Sequence, residues 1–288
     1  MMSEFTAAEQ KLSGGVAVIT GAGAGIGAAF ARRAGELGMI VYVTDISLEK
    51  AQSVASYITD RGGSAEALQV DVSRAEELDR LSDVIFQKHK SVRLLINNAG
   101  IETLGYSWEI SAARWDSTLN INIHGVVHGV RAFVPRMIAS GEECWIANLA
   151  SIGALGMMPT QAAYILSKHA VQSFTECLFL EMQLKGAPIH VSSVLPGMLK
   201  TDIFNKTSGE AEPTAATEYR QRMYQMMKTY GMDVDEGCKL MLSQIAEGKF
   251  WVSSQPEMTA GAATGRSDFI REQRDPVIAE SAKHLLGL

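Results

Sequence analysis

Residues 16–37 constrain this chain more than any other stretch: an apolar run, VAVIT, passes directly into Gly21-Ala22-Gly23-Ala24-Gly25-Ile26-Gly27 and then into the helix-forming AAFARRAGEL. A strand that turns through a glycine loop into a helix brings free backbone N–H groups and the positive end of a helix dipole to one point. Glycine lets that backbone turn tightly and approach a ligand closely. A glycine cluster alone could be a flexible loop. Set directly between a first strand and a helix, Gly21, Gly23, Gly25, Ile26 and Gly27 read as a cradle for a pyrophosphate.

The rest of the 288 residues continues the rhythm that such a unit begins. Short Val- and Ile-rich runs at 16–20, 39–44, 65–70, 92–97, 144–149, 189–194 and 250–253 alternate with segments of helical period, notably 111–139, 161–185 and 234–247. That alternation predicts an α/β fold: a Rossmann-like, doubly wound, parallel seven-stranded sheet with helices on both faces. No repeat, low-complexity tract or linker divides the chain, so residues 1–288 read as one domain. It carries an N-terminal extension at 1–13, a substrate-covering lid at 202–232 and a C-terminal tail at 255–288.

A carboxylate closes the second strand. Asp45 stands eighteen residues after Gly27, where it can accept hydrogen bonds from the ribose hydroxyls of an adenosine and repel a 2'-phosphate. Ile46 follows where a basic residue would meet that phosphate, so the pair favours NAD(H) over NADP(H). The alternative is that Asp45 merely caps the helix starting near Leu48.

Composition excludes several functions. A formal net charge of -6 and a pI near 5.6, with no Lys/Arg-rich stripe, argue against nucleic-acid binding. The polar opening MMSEFTAAEQKLSGG is unlike a signal peptide and no apolar run reaches bilayer length, so a soluble, cytoplasmic protein with no membrane contact is expected. Cys144, Cys177 and Cys238 lack metal-ligand or disulfide spacing and read as reduced, mostly buried thiols. His124 and His128 are i, i+4 on one helix, yet no third ligand is evident and no metal is expected.

The pattern TGxxxGxG is joined, in order, by Asn97-Asn98-Ala99-Gly100, by Asn122 three residues before Gly125, by Ser151 after the fifth strand run, by Tyr164-xxx-Lys168, and by Pro196-Gly197 with Thr201. Together these resemble the short-chain dehydrogenase/reductase family, closely over about residues 14–201 and loosely beyond. Tyr-xxx-Lys is a loose pattern by itself, and a second copy stands at Tyr224 and Lys228. Only Tyr164 has a serine at the right distance, thirteen residues upstream, so Tyr224 reads as an ordinary helix residue.

Positions i and i+4 share a helix face, which puts Lys168 beside Tyr164. A phenol titrates near pH ~10, and lowering it by two or three units needs roughly 3 to 4 kcal/mol of preferential stabilisation of the phenolate. Lys168 and the positive ring of NAD+ are the available sources. The resemblance implies that Tyr164 is the acid/base, that Lys168 also holds the nicotinamide ribose, that Ser151 binds the reacting oxygen and that Asn122 holds a water in a proton relay. It further implies that Asn98, with Ala99 and Gly100, supports the sheet beside the cofactor, that Asp71 and Val72 meet the adenine, and that Thr201 with Pro196-Gly197 holds the carboxamide. Taken singly, Ser151 could be a helix N-cap and Asn122 a buried amide bonded to backbone.

Met157, Met158, Met198 and Phe204, with Met223, Met226 and Met227 of the lid, predict an apolar substrate wall without a charge. The substrate is then a bulky apolar or aromatic secondary alcohol or its ketone, although the same methionines could simply be lid packing. Apolar residues on several faces of 111–139 and 161–185, among them Val126, Val127, Val130, Phe174, Leu178, Phe179 and Met182, predict a homodimer or homotetramer. A nucleotide-sensing protein without turnover, or a sugar-nucleotide epimerase or dehydratase, are the competing functions. The first need not retain Ser151, Tyr164 and Lys168 together, and the second needs a larger C-terminal domain.

Overall fold

The computed structural model describes residues 5–205 and 213–288. In chain order it contains α1 (Ala7–Gln10), β1 (Val16–Thr20), α2 (Gly25–Glu36), β2 (Ile40–Asp45), α3 (Leu48–Thr59), β3 (Ser64–Gln69), α4 (Ala75–Lys88), β4 (Leu94–Asn97) and α5 (Ala112–Leu119). A π-helical turn (Asn120–His124) joins α5 to α6 (Gly125–Ser140). There follow β5 (Cys144–Leu149), a 3-10 turn (Ile152–Leu155), α7 (Ala162–Lys185), β6 (Ile189–Leu195), α8 (Thr214–Tyr230), α9 (Val234–Ala246), β7 (Trp251–Ser253), α10 (Pro256–Arg271) and α11 (Glu280–Leu286).

The strands form one parallel sheet in the order β3-β2-β1-β4-β5-β6-β7. The seven runs expected from the sequence are its seven strands, with ends displaced by at most two residues. Strand β1 is buried on both faces, which explains its unbroken apolar run. Ala17 and Ile19 face a core shared with α2, α3 and α9, while Val16 and Val18 face a second core built with α4, α6 and α7. Strand order reverses between β1 and β4, so the crevice that opens at the carboxyl ends of these strands is where an open α/β sheet binds ligands.

Three segments differ from expectation. The described part of the N-terminal extension is built into the fold: Thr6 caps α1 in a box with Glu9, Leu12 is fully buried, and the Glu9 carboxylate meets the Arg33 guanidinium of α2 at 2.9 Å. The helix expected at 111–139 is interrupted by the π turn, which begins two residues before Asn122. The C-terminal tail forms α10 and α11, and Leu285 of α11 is buried against α8, with Arg222 Nη1 donating to its carbonyl at 3.1 Å. Of the expected lid, residues 206–212, including Lys206, lie outside the described residues.

Candidate active site

The glycine loop is shaped by close approach. Gly21 and Gly25 have φ of 60° and 52°, and a Cβ on Gly27 would stand 2.3 Å from the Gly21 carbonyl and 2.5 Å from Asn98 Nδ2. Asn98 holds the loop from β4, Nδ2 donating to the carbonyls of Thr20 (2.9 Å) and Gly21 (3.0 Å). Its main-chain N–H and that of Ala99 both donate to Thr20 Oγ1. No side chain caps the N-terminus of α2. Its first N–H groups are thus left for an anion, and Thr201 lies across from them, its Cγ2 3.6 Å from where a Cβ of Gly25 would be. Ile26 packs half-buried behind the loop, against the core.

Asp45 ends β2 with Oδ2 accepting from Gly23 N and Oδ1 from Ser47 N, both at 2.9 Å. The cap of α3 is Ser47, not Asp45. The carboxylate therefore orients the loop and keeps lone pairs for further donors, while Ile46 beside it is 63% exposed. Asp71 is held by Ser73, through N–H (3.0 Å) and Oγ (2.7 Å), and Val72 is buried beneath Gly125. On the far side, Gly197 N donates to Ser254 Oγ at 3.1 Å and Met198 N to Gln255 Oε1 at 2.8 Å, while the Pro196 carbonyl accepts from Ile152 N at 3.1 Å. A cradle that Cβ atoms would fill, an uncapped helix N-terminus and a ribose-ready carboxylate fit a dinucleotide.

The four residues of the expected catalytic set converge from separate elements. Ser151 follows β5, its Oγ accepting from Gly153 N at 3.0 Å as the cap of the 3-10 turn, and a Cβ on Gly153 would lie 3.3 Å from that Oγ and 3.6 Å from Tyr164 Cε1, so the two side chains meet at one point. The cap and the approach to Tyr164 are thus compatible in one residue. Lys168 is buried on α7, Nζ donating to the Leu149 carbonyl at 2.8 Å and standing 5.5 Å from the Tyr164 ring centroid. Asn122 in the π turn accepts from Ile101 N (2.8 Å) and donates to Ile101 O (3.0 Å) and Ser167 Oγ (2.9 Å). Both of its amide hydrogens are committed, so its side chain is a clamp on the chain leaving β4. A Cβ on Gly100 would be 3.4 Å from Asn122 Oδ1 and 3.5 Å from Lys168 Nζ, which fixes how closely that chain passes the set.

Electrostatics of the protein alone run against the expected acidification of Tyr164. Burial raises its pKa above the ordinary phenol value and the Glu102 charge adds to this, while the neighbouring Ser151 hydroxyl opposes. Burial also lowers Lys168 to about 8. In the protein by itself Tyr164 therefore rests as a phenol.

The substrate side is less apolar than its methionines imply. Leu104, Phe204, Ala216, Tyr219, Met227 and Leu285 form a buried cluster, with Met158, Met198, Met223, Tyr224 and Met226 half-buried against it. Phe204 and Met227 are packing residues of this cluster, Phe204 standing edge-on to Tyr219 at 6.5 Å. Met157 is 47% exposed and outside it. Glu102 went unnoticed in the sequence, although it lies two residues beyond Gly100. Its Oε2 accepts from Gln161 Nε2 at 3.0 Å, and Gln161 Oε1 accepts from Tyr219 OH at 2.9 Å. Its Oε1 is buried with no partner among the described residues, and burial raises its pKa to about 8.

Among the described residues no group of three His, Cys, Asp or Glu could hold a metal. His124 pairs with Asn120 and His128 with the Val72 carbonyl. Cys144 and Cys238 are buried and Cys177 is exposed. No helix among the described residues is long and apolar enough to cross a membrane.

Comparison with known proteins shows the family and the fold. The family pattern of the short chain dehydrogenases matches residues 15–212. The "probable oxidoreductase EphD" of Mycobacterium tuberculosis is 32% identical over 218 residues, covering 74% of this chain and 36% of EphD, so the chain spans about a third of that relative's length. The 3beta-hydroxysteroid dehydrogenase 1 of Eggerthella lenta is 35% identical over 208 residues, 72% of this chain and 79% of that one. A short chain dehydrogenase/reductase from Burkholderia phymatum, crystallised in complex with NAD, superposes with a TM-score of 0.87 at 32% identity, covering 93% of this chain and 98% of the other.

Proposed function

The chain belongs to the short chain dehydrogenase family, and from that membership we propose that it interconverts a bulky, largely apolar secondary alcohol and its ketone with NAD(H), with Tyr164 as acid/base. The observation that carries the reading is the convergence of the Ser151 and Tyr164 side chains beside Gly153, with Lys168 behind the Tyr164 ring, at the strand-end crevice. The family is nicotinamide-dependent, and the preference for NAD(H) rests on Asp45 and exposed Ile46 together with the NAD held by the Burkholderia phymatum relative.

Gly21, Gly23, Gly25, Ile26 and Gly27 would hold the pyrophosphate, Asp45 and Ile46 the adenosine ribose, and Asp71 and Val72 the adenine. Asn98, Ala99, Gly100, Tyr164, Lys168, Pro196, Gly197 and Thr201 would hold the nicotinamide half. When bound, NAD(H) supplies the hydride acceptor or donor and, oxidised, a positive charge. Ser151 orients the substrate oxygen. Tyr164, resting as a phenol, gives its proton to a carbonyl oxygen or, in the reverse direction, receives the hydroxyl proton. Lys168 favours the phenolate by its charge, and any contribution of Asn122 to a proton relay would come through its main chain, since its side chain clamps Ile101.

Met158 and Met198 supply the apolar wall, Met157 its open rim, and Phe204 backs it from within the cluster that α8 closes as a lid. The 3beta-hydroxysteroid dehydrogenase 1 relative supports a bulky alicyclic alcohol. We place the protein in the cytoplasm as a homodimer or homotetramer. A panel of secondary alcohols from 2-propanol to steroid-sized rings, followed by NADH formation, tests the reading: turnover should rise with apolar bulk. Preference for 2-propanol or for anionic hydroxy acids would overturn it.

A further inference from the structure

Four buried side-chain polar atoms among the described residues have no hydrogen-bond partner. Two, Asn97 Oδ1 and Trp145 Nε1, belong to the central sheet. The other two, Glu102 Oε1 and Thr160 Oγ1, flank one residue, Gln161, at the start of α7 and beside Tyr164. An unmet buried polar atom costs roughly 1–3 kcal/mol, so Glu102 Oε1 calls for an explanation.

Glu102 is held rather than loose. Its backbone follows Ile101, whose N–H and carbonyl are both clamped by Asn122. Its Oε2 is fixed by Gln161, which is oriented in turn by Tyr219 of α8. Its charge bears on both Tyr164 and Lys168, which places the carboxyl within electrostatic reach of the acid/base. Arg220, also buried on α8, faces it electrostatically. A carboxyl pinned by one oxygen, with the other left unsatisfied on the clamped chain that passes Lys168, is arranged to be completed by something that enters with the substrate.

We propose that Glu102 is a specificity-determining residue whose Oε1 binds a second hydroxyl group on the substrate. The preferred substrate is thus a hydroxylated secondary alcohol, a diol or hydroxyketone, rather than one bearing a single oxygen. A hydroxyl is the fitting class because it both donates and accepts, and so pairs with Glu102 whether the carboxyl is ionised or protonated. A bare ketone could pair with only one of these forms. Because α8 helps to bury Glu102 through Tyr219, a substrate lacking the second hydroxyl leaves Oε1 unsatisfied under the closed lid. Sites built to bond a substrate hydroxyl discriminate strongly against analogues lacking it.

This inference rests on the proposed alcohol dehydrogenase activity and is tested apart from it. The kcat/KM for cyclohexanol and for cyclohexane-1,2-diol is measured with NAD+ for the native protein, Glu102→Gln and Glu102→Leu, with circular dichroism of each. The native protein should prefer the diol roughly tenfold or more. Glu102→Gln, which keeps donor and acceptor, should retain most of that ratio, and Glu102→Leu should reduce it to near one, chiefly through KM for the diol. Equal native rates with both alcohols overturn the inference whatever the variants do. So does a Glu102→Leu protein that loses both activities in equal proportion. Should Glu102→Leu not fold, loss of the native ratio in Glu102→Gln overturns it and retention supports it. If neither alcohol nor any larger secondary alcohol reduces NAD+, the proposed function fails and takes the inference with it.

Discussion

The Lys168 ammonium stands 5.5 Å from the centre of the Tyr164 ring and donates a hydrogen bond to the Leu149 carbonyl at 2.8 Å. Its position beside the phenol is therefore set by the end of β5. Tyr164→Phe should lower kcat by about 10²-fold or more, because general acid/base transfer typically contributes that much, with Kd for NADH little changed. Lys168→Ala should weaken both, since it removes charge and a hydrogen bond together. Retention of more than about a tenth of the rate by Tyr164→Phe would refute its assignment.

The proposed preference for NAD(H) rests on Asp45. The carboxylate already accepts from Gly23 and Ser47, so replacing it also loosens the loop. Asp45→Ala with Ile46→Arg should shift kcat/KM toward NADP(H) by at least about tenfold, the worth of ~1.4 kcal/mol of lost repulsion and gained ion pairing. The kcat/KM ratio for the two cofactors, measured in native and variant, decides it. Equal use of both by the native protein would sink the assignment.

The glycine loop was legible because glycine, strand and helix stand in sequence order, and Gly27 shows why: any side chain there strikes the Gly21 carbonyl. Tyr164, Lys168, Ser151 and Asn122 were legible as motif residues. The π turn at Asn122 was not, because an i→i+5 register leaves no mark on apolar periodicity. Glu102 was missed because its partner Gln161 is 59 residues away and only the fold joins them. Gln255, which holds Met198, was hidden for the same reason. The N-terminal segment did carry a signal: Thr6-x-x-Glu9 is a capping box ahead of apolar Leu12.

Stability should report Glu102 and Lys168 as a buried pair. Glu102 has a folded pKa of about 8 against 4.5 free, so the folded state holds the extra proton between those values and this contribution is lost as pH rises from 4.5 through 8. Lys168, at about 8 against 10.5, binds fewer protons folded than unfolded above pH 8, so its contribution recovers as pH rises toward 10.5. Glu102→Gln should therefore gain Tm relative to the native protein progressively from pH 5 to 8 and hold that gain above it. A difference between the two melting curves that is flat across this range would show that Glu102 is ionised throughout.

Assembly is read from α7, whose inward residues Leu178 and Met182 are buried against the sheet while Leu166, Leu180 and Leu184 are 50%, 62% and 89% exposed. Val126 of α6 is likewise buried, so it is not part of the face available to a partner. Fully burying a leucine yields about 1.5–3 kcal/mol, and three on each of two copies, placed across a symmetric contact, would supply a substantial part of a stable interface. Leu180→Glu with Leu184→Glu should place charges on that contact and release monomers while leaving the fold intact, because neither side chain enters the core. Light scattering at micromolar concentration should find a dimer or tetramer for the native protein and a smaller species for the variant. A native monomer, or a variant that stays assembled, would show that this face of α7 is not where copies meet.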